Sequence, residues 1–183
     1  MTHIDVRSAL QSSVRGPYSD LVTRPTGAAV RMVIEHQIAG LADGTVVFLD
    51  FSHIGILDRS CADEFVAKLL IPMTSAHPAH DGYVVINGLT EDHLEQIEAV
   101  LNAHDLALVV QLPGGPTRLV GMVTDAERRC WDLVMAQGAT PTATIANRTG
   151  LPTEDCQQLL DGLARRRLLR RDANGFAPLG AAA

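Results

Sequence analysis

The chain has 183 residues, 46% hydrophobic and 20% charged, with a formal net charge of −6. These values exclude wholesale disorder, and the length suits one domain of about 120 residues with an appendage of about 60. Residues 1–124 carry seven basic and fourteen acidic side chains, residues 125–183 eight and seven; phosphates are repelled by a net-acidic surface, which argues against nucleic acid as a partner of the first part.

Along the chain, Arg24-Pro25-Thr26-Gly27 opens a segment in which Val30, Val33, Ile34, Ile38 and Leu41 recur at helical spacing, closing between Gly40 and Gly44. Residues 45–50 (TVVFLD) form an apolar run that starts with β-branched side chains, which predicts a strand buried on both faces. Helical spacing returns at Ser60, continues through Cys61, Phe65 and Leu69, and stops at Pro72. Residues 77–82 read as loop. A second strand is predicted at 83–86, an amphipathic helix at 90–102 and a third strand at 106–111. The chain then turns at Gly114-Gly115-Pro116, and 118–123 reads as an edge strand. Strands and helices alternating at this pace predict an α/β domain over 1–124, with a parallel or mixed sheet and right-handed crossovers.

From Asp125 the pattern is helix after helix: 126–137, carrying the only tryptophan, Trp131; 142–149, ending at Gly150; and 153–166, where Cys156, Leu159, Leu160 and Leu163 form an apolar stripe. Residues 168–178 then read as a hairpin turning at Asp172-Ala173-Asn174-Gly175. Three helices and a hairpin predict a winged helix over 125–183.

The opening residues lack the basic-then-apolar pattern of a signal peptide, and no stretch approaches the roughly 18 apolar residues of a membrane span. Cys61, Cys130 and Cys156 are widely spaced and form no CxxC pair, so reduced thiols and a cytoplasmic location are expected. Catalytic signatures are missing: no GxGxxG, no phosphate-loop GKS/T, no GxSxG, and a single lysine, Lys68, in the middle of a helix. A non-enzyme without cofactor or metal is therefore expected. His77, His80 and Asp81 sit in a short loop without a fourth ligand at usual spacing, so they read as solvated side chains. His53, His93 and His104 carry no pattern.

The stretch VVFLDFSHIGILDRSCADEFVAKLL, residues 46–70, resembles the STAS-like family, relatives of bacterial anti-sigma-factor antagonists. A strand ending in aspartate, a short connection, then Asp-Arg-Ser and a helix carry the likeness, with VTRPTGAAVR before and VVINGLTEDHLEQIEAVLNAHDLALVV after; it spans roughly residues 20–112. Those antagonists have Ser-Gly-Leu where this chain has Ser60-Cys61-Ala62. Residues 125–179, above all ATIANRTGLPTEDCQQLLDGLARRRLLRRDANGFAPL, resemble winged helix-turn-helix regulators.

The resemblance makes Ser60 the counterpart of a phosphorylated serine, with Asp58 beside it as an orienting or docking group. The alternative is that Ser60 caps its helix, with Asp63 completing a capping-box-like pair. Asp50, at a strand's carboxyl end, reads as a turn-capping aspartate or as an edge where ligands gather. Arg148, Arg165, Arg166, Arg170 and Arg171 are the candidate nucleic-acid contacts; their alternative role is to stabilise a helix C-terminus and the surface. Glu154, Asp155, Gln157, Gln158 and Asp161 give the third helix of this part an acidic face, which favours protein over DNA as its partner. The expected function is therefore regulation through protein–protein contacts in a sigma-factor or other transcriptional signalling pathway, the partner being a kinase-type or sigma-pathway regulator, or a second copy in a homodimer. A DNA-binding regulator with a STAS-like sensor is the alternative, and a small-molecule sensor is a third.

Overall fold

A computed structural model describes residues 1–14, 16, 18–75 and 81–180, which divide into two compact units, Met1–Met122 and Val123–Ala183. The class is α/β with a mixed sheet. In the first unit, β1 (Thr2–Asp5), β2 (Val46–Asp50), β3 (Tyr83–Asn87), β4 (Ala107–Gln111) and β5 (Thr117–Gly121) lie side by side in chain order. The first four are parallel, and β5 runs antiparallel to β4.

The apolar runs of β2, β3 and β4 alternate between the sheet's two faces. On one face Ile4, Val47, Leu49, Val84, Ile86, Leu108 and Val110 join a core with side chains from every helix of the unit. These helices are α1 (Val6–Ser13), α2 (Arg24–Ala39), α3 (Arg59–Ala62), α4 (Lys68–Met73) and α5 (Glu91–Ala103). Leu10, Ile34 and Ile97 are among their fully buried contributions, and Phe65, between α3 and α4, is another. A one-face helix layer follows from the strand order, because successive right-handed crossovers in one direction all land on the same side. On the other face, a row crosses the sheet through His3, Phe48, Val85, Val109 and Leu119, with the His3 and Phe48 rings stacked at 4.9 Å and Val46 and Ala107 buried beside it.

β1 and α1 were not expected from the pattern, because β1 (THID) buries only Ile4. Between α3 and α4 the helix widens into a π-helical turn, Asp63–Ala67, and Pro72 falls inside the final turn of α4. There it costs little, since its ring is near a helix end.

The second unit holds α6 (Asp125–Gln137), α7 (Thr142–Thr149), α8 (Thr153–Arg165) and an antiparallel pair, β6 (Arg170–Asp172) and β7 (Gly175–Ala177). Thr124 and Glu127 form a reciprocal cap on α6, and Gly150 ends α7 in the left-handed conformation. Trp131, Ile145, Cys156, Leu160, Leu163 and Phe176 are buried, and the Trp131 indole donates to the Leu168 carbonyl at 3.1 Å. Thr140 exchanges backbone hydrogen bonds with Phe176 at 2.9 and 3.1 Å. Only glycine fits at 175, where a Cβ would stand 2.3 Å from the Thr140 carbonyl oxygen.

Candidate functional site

The connection from β2 to α3 passes the carboxyl edge of the sheet. Asp50 ends β2 and closes a turn, its Oδ1 accepting from the Ser52 amide at 2.9 Å and hydroxyl at 2.6 Å. The following loop pairs with a strap of chain that precedes α2. Gly55 N–H donates to the Ser19 carbonyl, Leu21 N–H to that of Ile56, and Asp58 N–H to that of Leu21, at 2.8, 2.7 and 3.0 Å. Leu21 and Leu57 turn inward, while Tyr18, Val22 and Ile56 are 53%, 36% and 59% exposed.

Asp58 and Ser60 come together at the end of this loop. The Asp58 carboxylate, not the Ser60 hydroxyl, caps α3: its Oδ1 accepts from the Cys61 amide at 2.6 Å and from Ser60 Oγ at 2.9 Å. Ser60 sits inside the first turn and spends its proton on Asp58. The expectation of a Ser60 cap is thus corrected by two positions, because Asp58 also meets the Thr23 amide, whose N–H donates to Oδ2 at 3.2 Å. Burial pushes the Asp58 carboxyl up, but the bonds from Cys61, Thr23 and Ser60 outweigh it and hold it below its ordinary 3.8. Thr23 itself adopts φ +73° and ψ 146°, a region that suits glycine and strains a β-branched residue.

One turn further on, the π turn carries Asp63 and Glu64. Asp63 does not complete a capping box. It accepts from Arg24 Nη1 at 2.7 Å and contacts His104 Nε2 at 2.6 Å, and the His104 bond is the main cause holding its carboxyl below the usual range. Glu64 is buried among three cations: Lys68 Nζ at 2.5 Å, Arg31 Nη2 at 3.5 Å and Arg24 Nη1 at 3.8 Å. Gly27 lets α2 approach this turn, since a Cβ there would lie 2.8 Å from the Cys61 carbonyl oxygen. Lys68 is therefore an ion-pair partner in a structural network.

The four parallel strands end in a polar row in register, Asp5, Asp50, Asn87 and Gln111. Strand order never reverses among them, so the edge has no switch point at which crossovers part to open a ligand crevice. His93, which carried no signal in the sequence, is buried: Nε2 lies 2.7 Å from the Gly55 carbonyl and Nδ1 accepts from the Thr90 amide at 3.4 Å. It fastens the loop that presents Asp58 to the start of α5. His77 and His80 lie outside the described residues. All three cysteines are buried free thiols, and burial pushes Cys61 and Cys130 up to about 12.

In the second unit the candidate arginines separate. Arg166 pairs with Glu127 at 3.2 Å; Arg171 pairs with Asp161 at 2.7 Å and lies over the Phe176 ring at 5.3 Å. Arg148, Arg165 and Arg170 are exposed. Gln158, Asp161, Arg165 and Arg171 line an open groove between α8 and the hairpin. Glu154 and Asp155 stand exposed in the first turn of α8.

No protein-family model matches the chain, and no curated protein matches it. No helix among the described residues is long and apolar enough to cross a membrane.

Proposed function

We propose that the chain is a non-catalytic regulator working through protein–protein contacts, with a STAS-like first unit as the docking module and a winged-helix second unit as the output or dimerisation module. The observation that carries this reading is the surface around Ser60. A hydroxyl oriented by Asp58 lies beside a strap and loop that expose Tyr18, Val22 and Ile56 together. Exposed apolar side chains gathered beside a modifiable hydroxyl suit a partner that must sense the state of that hydroxyl. The partner is a kinase-type or sigma-pathway regulator. A kinase would transfer the γ-phosphoryl of a nucleoside triphosphate to Ser60 Oγ, releasing the diphosphate and passing the hydroxyl proton to its own base.

The test is capture from native lysate with the wild-type chain and with Ser60→Asp and Ile56→Asp. A protein held by the wild type and lost from both variants supports the reading. Identical capture by all three defeats it.

DNA binding by the winged helix is the second reading, favoured by exposed Arg148, Arg165 and Arg170. Against it, Asp161 and Glu127 occupy Arg171 and Arg166, and Glu154 and Asp155 place negative charge where recognition helices usually place donors.

A further inference from the structure

We propose that Asp58 is a latch: its carboxylate holds Thr23 in a strained backbone conformation, and a second negative charge at Ser60 opens it, freeing the strap at residues 18–23. Only the trigger rests on the reading of Ser60 as a modification site.

Thr23 at φ +73° and ψ 146° persists only where its surroundings over-determine it. Upstream, the Leu21 amide and carbonyl are both bonded, to Ile56 and Asp58, at 2.7 and 3.0 Å. Downstream, the Thr23 carbonyl accepts from the Gly27 amide at 3.2 Å as α2 begins. Between these anchors the Thr23 N–H is held by Asp58 Oδ2 at 3.2 Å, across 35 positions of sequence. The other oxygen of the same carboxylate caps α3 and takes the Ser60 proton. One side chain thus joins the strap, the start of α2 and the start of α3.

An anion at Ser60 replaces a donor with acceptors at a place where the present separation is 2.9 Å. The bond inverts to repulsion between two anions, and displacement of the carboxylate away from Ser60 acts on its longer bond, to the Thr23 amide at 3.2 Å, before the Cys61 cap at 2.6 Å. Once Oδ2 leaves the Thr23 amide, the bond that ties this strained residue to α3 is lost. Thr23 then relaxes towards an extended conformation against the Thr26 hydroxyl contact and the Gly27 amide bond that remain. Tyr18 and Val22 then shift against Ile56, so the apolar surface changes shape with the charge on Ser60. The two-state element is the strap, and strain at Thr23 is what biases it.

The test is amide hydrogen exchange on the full chain, resolved at Leu21 and Thr23, for the wild type, Asp58→Asn, Ser60→Asp, Thr23→Gly and the Thr23→Gly/Ser60→Asp pair. Asp58→Asn and Ser60→Asp are expected to speed exchange at both amides by about tenfold or more, with β2 and β3 unchanged. Glycine tolerates the Thr23 conformation, so Thr23→Gly should leave the strap protected and suppress the effect of Ser60→Asp. Wild-type exchange in Asp58→Asn, a uniform rise across the unit, or no suppression by glycine overturns the latch. Opening by Asp58→Asn but not by Ser60→Asp overturns the trigger, and with it the sensing role of Ser60. A strap that opens as expected while capture stays identical leaves the latch standing and removes the docking reading.

Discussion

Replacing Glu64 by glutamine tests whether the charge network behind the candidate site holds the first unit together. The substitution conserves volume and one acceptor while removing the charge that Lys68, Arg31 and Arg24 surround. Breaking a buried ion pair costs about 3–5 kcal/mol, because the remaining charge is left uncompensated. Here the penalty is smaller: Lys68 and Arg24 are 45% and 58% exposed and can return to water. Only Arg31, 22% exposed, stays partly enclosed, and it keeps Glu35 at 2.9 Å. A destabilisation of about 2 kcal/mol is therefore expected, or roughly 6–10 °C in Tm for a unit of this size. The Lys68 hydrogen bond is the main cause holding the Glu64 carboxyl below its ordinary 4.5, with Arg31 adding to it against burial. A lowered folded value means the stabilisation is present above about pH 4.5 and is lost as pH falls through the folded value. The gap between wild type and Glu64→Gln should thus be full at pH 7 and narrow below about pH 4.5. Urea denaturation followed by circular dichroism at several pH values measures it. A difference under about 0.5 kcal/mol at pH 7, or a gap that widens in acid, would refute the reasoning.

Three further outcomes are expected. His93→Ala should destabilise by about 2–3 kcal/mol, since it leaves a cavity and frees the Gly55 carbonyl and Thr90 amide; thermal melting measures this, and a change near zero removes His93 as the fastener of the loop. Cys61 and Cys130, held near 12 and buried, should react with a thiol-specific disulfide reagent at pH 8 only after denaturation; fast reaction of the native chain would contradict their burial. Any duplex DNA binding should weaken steeply with salt, and the Glu154→Gln/Asp155→Gln pair should tighten it severalfold; fluorescence anisotropy at two salt concentrations measures it, and tight sequence-selective binding that survives moderate salt would overturn the protein-docking preference.

The α/β class was legible because β2, β3 and β4 are short, unbroken apolar runs and Thr90 opens a helix at the position expected; the Thr124 cap of α6, by contrast, lies two residues before the expected start at 126. What escaped the pattern depends on contacts distant in sequence. Asp58 and Ser60 are both good capping types two residues apart, and the Thr23 amide, far upstream, favours the aspartate. Glu64 falls outside the apolar spacing of Cys61, Phe65 and Leu69, and the π turn against α2 nonetheless buries it. His93 occupies a cap position where glutamate or glutamine is the usual signal, so its role depends on the Gly55 carbonyl above it. α1 was readable in principle: Asp5 precedes Val6, Ala9 and Leu10 at helical spacing, and its carboxylate accepts from the Arg7 and Ser8 amides.

Strand order has a consequence for how the chain acquires its shape. Each parallel strand lies beside the one synthesised before it, so a growing polypeptide can extend the sheet by one strand at a time. No strand must be inserted between two already paired, so each new parallel strand closes only the one crossover that precedes it. The exposed margin of the nascent sheet moves along with synthesis, and α5 is already made when β4 arrives. β5, joined to β4 by a short turn and running backwards, is added last and covers that margin before α6 begins.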